Sequence, residues 1–539
     1  MPLSFSYLPY SDTHSFSQLV TDYLSQSNTL KPFYKFATSP GGTKQAIEER
    51  KKYAVDRKNL VAALIEQYGE LNRHEATEEN IDLLADEKTF TVCTAHQPNL
   101  LTGYLYFIYK IIHAIKLAEE LKASFPEYNF VPVYYMGSED NDLEELGTFR
   151  YNNKKFVWDA AGQTGAVGKM QTESLKPLLD ELFKELGPPG AYCEQLKSLI
   201  TQSYLQQPTI ARATLYLVNE LFGRYGLIVL DPDSRLLKRS FINIVKDDLL
   251  HQTANKIVTQ QIAQLSENYK VQAYPRPINL FYLKNNIRER IEKTNEHWSV
   301  VNTNISWTEE EMTTELNKHP ERFSPNVILR GLFQETILPN VAFIGGGAEI
   351  AYWLQLKSLF DHYNVFYPAV HLRQSVVWIN SKNKKLREQL GFSISDLFKS
   401  ETTLEHKLVV AQSTGNWQTK NEMDIVEQTL QQLKQKATAL DPTLSSSAEA
   451  ALAKIRNQMQ VLEKKMLRAE KRKMHDQLAR ISKLKKNLFP NNGLQERVEN
   501  FMEYFLKYGE DYFSFLKDTI QPFKHQMMVA EESEEALFL

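Results

Sequence analysis

Between Thr89 and Leu121 the chain reads "TFTVCTAHQPNLLTGYLYFIYKIIHAIKLAEEL", and its hydrophobic period changes in the middle. Thr89–Ala95 is a short apolar and β-branched run, the pattern of a buried strand. After the loop, apolar residues recur at helical spacing from Leu105 to Leu121. A second buried strand, "FVPVYYMG" (Phe130–Gly137), follows. Strand, helix, strand is the unit that builds a parallel sheet through right-handed crossovers, so this stretch excludes all-α and all-β folds.

The same rhythm returns twice. A strand at Leu227–Asp231 leads into a helix, and "NVAFIGGGAEIAYWLQLKSLFDHYNVFYPAV" reads as strand, glycine turn, helix and a last core strand at Val365–Tyr367. The expected fold is α/β, a Rossmann-like doubly wound parallel sheet over residues 1–380. Two connecting insertions interrupt it. One, at about 151–210, holds a hairpin or loop and then a helix in "TESLKPLLDELFKELG"; the other, at about 271–330, holds short β-like runs. Residues 1–88 read mainly as helix with loop breaks, with Gly69 stopping "TKQAIEERKKYAVDRKNLVAALIEQYG".

Beyond Asn380 the composition shifts. A helix from Ser447 to Leu488, capped by Ser445–Ser447, would run without internal Gly or Pro. It would span roughly 60 Å. Its apolar stripe, Ile455, Met459, Leu462 and Met466 and then Leu478, Ile481 and Leu488, needs a partner. Met423–Leu440 supplies an antiparallel arm through the turn "DPTLSSS". Residues 381–490 are therefore expected to form an α-helical coiled-coil hairpin, with a homodimer formed through it. Residues 491–539 are expected to be a helical segment packing back on the core.

A net charge of -3 speaks against a nucleic-acid-binding or membrane-surface protein. No run of 18 apolar residues occurs, and the start "MPLSFSYLPYSD" lacks the features of a secretory signal. With only two cysteines, Cys93 and Cys193, the expected setting is a reducing cytoplasm. CxxC, HExxH and GxSxG are absent from the sequence, so no resident metal and no serine-hydrolase site is expected.

In an open α/β sheet, ligands bind beyond the carboxyl ends of the strands. His96 and Gln97 lie there, with Thr102 and Gly103 opening the next helix. His96 is either a donor to a phosphate at that helix start or a histidine bonding its own turn. Glu139, Asp140 and Asp142 follow the second strand in "SEDNDLEEL". They are either a helix cap or a site for an amine, a sugar hydroxyl or a nucleotide's Mg²⁺. Gly345, Gly346, Gly347 and Glu349 form a turn that permits close backbone approach and positive φ, yet match neither GxGxxG nor GxxxxGK[ST]. His371, Arg373 and Ser375 lie just past the last expected core strand. Arg373 with Ser375 reads as a phosphate-binding pair or as a surface ion pair.

Four ordered blocks extend these readings: "TAHQPNLLTGYLYFIYKIIHAIKLA", "VPVYYMGSEDNDLEEL", "FSPNVILRGLFQETILPNVAFIGGGAEIAYWLQLK" and "LFPNNGLQERVENFMEYFLKYG". Together they resemble the bacillithiol biosynthesis cysteine-adding enzymes, over nearly the full chain. The resemblance implies a core related to class I synthetase-type nucleotidyltransferases. It also implies an activity that joins cysteine to glucosaminyl malate by an amide bond. It places His96, Asp140 and Arg373 in the chemistry. Gln97, Thr102, Gly103, Glu139, Asp142, Asn326, Arg330, Gly345, Gly346, Gly347, Glu349 and Ser375 are placed in binding. The chain departs from the family pattern at Asn141, where a histidine is usual, and at Ala348 in the glycine turn. It has no KMSKS-like loop, and Arg373 with Ser375 is the nearest substitute. ATP or another nucleotide with Mg²⁺ is the expected cosubstrate, although no motif names it. Two other readings stay open: a nucleotidyltransferase acting on a small sugar or alcohol phosphate, and a non-catalytic nucleotide-binding coiled-coil scaffold.

Overall fold

The computed structural model describes residues 3–412 and 419–533. The chain divides into two compact units. The first comprises Met1–Val377 and Leu494–Ala530; the second runs from Trp378 to Gly493 and resumes at Glu531.

The first unit is built on a five-stranded parallel sheet: β1 (Thr89–His96), β2 (Asn129–Met136), β3 (Ile228–Leu230), β4 (Asn340–Gly345) and β5 (Ala369–Leu372). In space the order is β5-β4-β1-β2-β3, with every neighbouring pair parallel. The chain thus winds outward from β1 to β3, then restarts at β4 on the other side of β1. That reversal opens a crevice between the carboxyl ends of β1 and β4. Helix α1 (Leu105–Ser124) makes the β1–β2 crossover. It buries Ala114, Leu117 and Leu121 against Phe90 and Val92 of β1 and Val341 and Ile344 of β4. Each fully buried leucine contributes about 1.5–3 kcal/mol, which is why the strands read as continuous apolar runs.

Several expectations are corrected. The last core strand is Ala369–Leu372 rather than Val365–Tyr367, so His371 lies inside the strand, buried, and Arg373 is the first residue beyond it. The mainly helical N-terminal region begins with a strand, Leu3–Pro9. The segment ending at Gly69 forms two helices, Pro40–Arg50 and Arg57–Tyr68. The expected hairpin of the insertion near 151–210 is present, as Thr148–Tyr151 and Lys154–Val157, and its turn residues Asn152 and Asn153 take φ of 49° and 63°. Asparagine tolerates that left-handed conformation. The second insertion contains strands Leu280–Lys284, Ile287–Thr294, His297–Val300 and Ser306–Trp307, joined in one antiparallel sheet with Phe323–Pro325.

In the second unit, helix Lys420–Leu440 packs antiparallel to Leu444–Lys473, with ion pairs Arg456–Glu427 and Lys434–Glu449 (3.0 Å) between them. The long helix is not continuous: it breaks at Met474 and restarts as His475–Leu488. It also begins before the serines that were expected to cap it, at Leu444 after Thr443. The stripe divides at the break. Ile481, Leu484 and Leu488 are fully buried, whereas Val461 and Leu462 are exposed. Among the described residues no helix is long and apolar enough to cross a membrane.

Candidate active site

The crevice at the sheet's reversal point holds a cavity of about 410 Å³, within the usual range for small-molecule sites. His96 ends β1 at its centre. Gln97, Glu139 and Asp140 lie on the β2 side, and Gly346, Gly347, Glu349 and Arg373 on the β4–β5 side. The second insertion supplies the remaining wall through Arg288, Ser324, Asn326 and Arg330.

His96 packs against Tyr106 and Phe107, with ring centroids 5.2 and 5.5 Å away. Burial, reinforced by Lys110 and Arg373, holds its imidazole well below its usual pKa range. The ring is neutral at pH 7, and its Nε2 is buried with no partner among the described residues. Arg373 is more fully enclosed, at 3% exposed. Its guanidinium donates to Glu496 through both terminal nitrogens (2.9 and 2.7 Å) and to the Ser375 hydroxyl (3.2 Å), while its buried Nε has no acceptor. The following residue is fixed by a histidine: Gln374 N donates to His113 Nδ1 (2.9 Å), and burial pulls His113 down to about 3, keeping that nitrogen an acceptor.

Lys110, one helical turn beyond Tyr106 and 4% exposed, donates to the Ala95 carbonyl (3.0 Å) and pairs with Glu349. Glu349 also accepts from Gly346 N (2.8 Å), tying the glycine turn to the start of helix Gly347–Trp353. None of the three glycines takes the positive φ that the sequence allowed. What they provide is space: a Cβ on Gly345 would lie 2.9 Å from both Glu349 Cβ and a Phe343 ring carbon.

The acidic turn splits in function. Glu139 is buried, pairs with Lys238 and accepts from Ser324 Oγ (2.9 Å). Asp140 faces the cavity and accepts from Gln97 Nε2 (3.1 Å) while anchoring the amides of Asn141 and Asp142. Asp142 caps the helix Leu143–Leu146 (3.0 Å to Glu145 N) and does not line the cavity. Asn326 similarly caps Val327–Ile337, yet remains on the wall. Arg330 donates to Gln334 (3.1 Å) and to the Tyr352 hydroxyl (2.6 Å). Arg288 donates to Asn141 Oδ1 (2.9 Å) and leaves a buried Nε unpartnered.

Thr102 and Gly103 lie off the cavity wall, as do Gly345 and Ser375. The Thr102–Gly103 turn, with φ of 66° at both residues, is held by Asn500 Nδ2, which donates to the carbonyls of Leu101 (2.9 Å) and Gly103 (2.7 Å). Leu105 N, one of the helix-start amides that could have met an anion, is bonded to the Glu499 carbonyl (2.9 Å). Sequence reasoning missed Lys110, Tyr106, Arg288, Glu496 and Arg497. Lys110 left a signal, a cation in the middle of the apolar run "LYFIYKIIHAI".

The arrangement sets residues with a buried nitrogen that has no partner among the described residues (His96 Nε2, Arg288 Nε and Arg373 Nε) around one cavity that is also lined by a carboxylate residue, Asp140. Such donors suit oxyanions, and a neutral histidine can donate to one without itself carrying charge.

Comparison with known proteins covers nearly the full chain. The model of the bacillithiol biosynthesis BshC N-terminal Rossmann-like domain matches residues 3–374, and that of the BshC C-terminal coiled-coil domain matches residues 376–532. A relative from Flavobacterium psychrophilum, provisionally named cysteine ligase BshC, is 42% identical, covering 96% of this chain and 97% of its own length. One of the same name from Christiangramia forsetii is 40% identical over 97% of this chain and 98% of its own. Another, from Bacillus cytotoxicus, is 29% identical over 92% and 94%.

Proposed function

Because the chain belongs to the BshC family of bacillithiol biosynthesis, we propose that it is the ligase joining the carboxyl group of L-cysteine to the amine of glucosaminyl malate in the last step of that pathway. The observation supporting this reading at the site is that three residues with a buried nitrogen unpartnered among the described residues, His96, Arg288 and Arg373, line one cavity together with the carboxylate residue Asp140. Amide formation needs both. Negative charge develops on the carboxyl oxygen under attack, and the attacking nitrogen must shed a proton.

In this scheme neutral His96 and the Nε–H of Arg373 donate to the developing oxyanion. Asp140 accepts the amine's proton, and Gln97, bonded to Asp140, fixes the carboxylate's orientation. Glu139 is committed to Lys238 and shapes the wall. ATP or another nucleotide with Mg²⁺ is the proposed cosubstrate, supplying the activation that a free carboxylate lacks. The cytoplasm is the proposed setting; both cysteines are free thiols. A homodimer through the coiled coil is also proposed, on the exposed apolar residues Ile425, Leu433, Val461 and Leu462.

The test is thiol-labelled mass spectrometry of a deletion strain, with the purified protein assayed beside it. Loss of bacillithiol, build-up of glucosaminyl malate, and rescue by the wild-type gene but not by His96→Ala are expected. An unchanged thiol profile in a strain with no second copy of the gene would overturn the reading.

A further inference from the structure

A second cavity, about 350 Å³, adjoins the first across the turn at Gly347 and Ala348, and Arg497 lines both. Its charge is one-sided. Lys270 and Arg497 are its charged lining residues, Ser15 and Ser17 add hydroxyls, and among the described residues no carboxylate lines it. Asp22, which lies behind the lining, is already engaged: it accepts from the Tyr269 hydroxyl (2.8 Å) and from Gln18 Nε2 (2.6 Å).

Cations elsewhere around the joined cavities are committed. Lys110 pairs with Glu349, Arg373 with Glu496, Arg288 bonds Asn141, and Arg330 bonds Gln334 and Tyr352. Neither Lys270 nor Arg497 has a side-chain partner among the described residues, and both are exposed. The backbone at Arg497 is nonetheless well placed. The preceding residue is the buried Glu496 that grips Arg373, and Arg497 N closes the turn onto the Leu494 carbonyl (3.0 Å). A cleft lined by one sign of charge concentrates ligands of the opposite sign, and a guanidinium offers a planar fork matched to phosphate or carboxylate.

We propose that this second cavity is an oxyanion-binding subsite, in which Arg497 and Lys270 hold the anionic part of a molecule whose reacting end lies in the main cavity. The oxyanions would be either the phosphates of the activating nucleotide or the malyl carboxylates of the acceptor. That assignment rests on the function proposed above, whereas the anion site itself rests only on the charges. It gives the chain an exposed cation beside the glycine turn, whereas the terminal nitrogens of Arg373 are already paired with Glu496.

The experiment is calorimetric titration of the full-length protein with pyrophosphate and, separately, with L-malate, repeated on Arg497→Gln and Lys270→Gln. Both side chains are exposed, so the variants are expected to fold. At least one probe should bind the wild type at millimolar concentration or below, and each variant should weaken it about tenfold or more. The probe that binds identifies the source of the oxyanions. Binding of neither probe overturns the site, as does binding that both variants leave unchanged. A loss in Arg497→Gln without one in Lys270→Gln also overturns it, because Lys270 lines only the second cavity and the anion would then belong to the first. No turnover is needed, so failure of the ligase reading would leave this result standing, and an active ligase that ignores both probes would sink the subsite alone.

Discussion

Removing Glu496 should cost the fold far more than an ordinary surface ion pair would. The Arg373 and Glu496 side chains are 4% and 1% exposed and share two N–H···O bonds of 2.7 and 2.9 Å, while Ser375 Oγ adds a third bond to the carboxylate at 3.2 Å. In Glu496→Ala the guanidinium keeps only the Gln374 carbonyl (3.2 Å) and the Ser375 hydroxyl as hydrogen-bond acceptors among the described residues. Stranding one member of a buried pair costs about 3–5 kcal/mol. A unit of roughly 400 residues has an unfolding entropy near 0.8 kcal/mol per kelvin, so the melting temperature should fall by about 4–6 °C. Calorimetry of wild type, Glu496→Ala, Arg373→Met and the double variant Arg373→Met/Glu496→Leu checks this. The double variant should recover most of the loss, because replacing both charges by apolar groups is close to neutral. A Glu496→Ala shift below about 1 °C, or a double variant no better than the single one, would refute the claim that the charges are buried and mutually dependent.

His96→Ala should lower ligation about 10²–10³-fold while leaving the melting temperature nearly unchanged, as expected for a lost transition-state donor; equal losses in stability would point to packing against Tyr106 and Phe107 instead. Gly345→Ala should destabilise by about 1–3 kcal/mol because its methyl meets Glu349 and Phe343 at 2.9 Å. Gly346→Ala, whose methyl would sit 3.6 Å from Glu349 and 3.7 Å from Arg373, should fold like wild type but lose activity; parallel urea melts and turnover assays separate the two. Buried Glu335 is pushed up from 4.5 to about 7 by burial, so the native state holds its proton more tightly than the unfolded chain. Its contribution is therefore complete below about pH 4.5 and is lost as pH rises through about 7, by roughly 3 kcal/mol at most. Urea midpoints at pH 5 and pH 8 should differ more for wild type than for Glu335→Gln, and an identical difference would show that another group carries the pH dependence.

The alternating strand and helix pattern was legible because buried parallel strands are apolar on both faces, and β1, β2 and β4 stand within a residue or two of where their patterns place them. β5 was displaced because "VFY" is as apolar as "AVHL", and only pairing with β4, at Ala342–Ala369 through Gly345–Leu372, decides between them. The break at Met474 had no Gly or Pro to announce it. Residues at strand ends, His96, Asp140, Glu349 and Arg373, could be placed at the cavity from topology alone. Thr102 and Asp142 could not be sorted, since a turn and a cap use the same residue types as a binding site. Arg288 and Glu496 were out of reach for a different reason. They enter from an insertion and from the far end of the chain, and no local pattern encodes such long-range approaches.

The brace from that far end has a consequence for how the protein is made. Glu496 secures Arg373, the Glu499 carbonyl takes Leu105 N, and Asn500 holds the loop ahead of α1. All three leave the ribosome only after the whole coiled coil has been translated. At elongation rates of about 5–20 residues per second the roughly 120 intervening residues delay them by about 6–25 s after the rest of the core has emerged. During that interval the nascent sheet exists without these contacts beside its crevice. A chain ending within the coil would carry almost every residue that lines the cavity but would lack Glu496, Glu499 and Asn500, and with them the bonds that hold Arg373, Leu105 N and the loop ahead of α1.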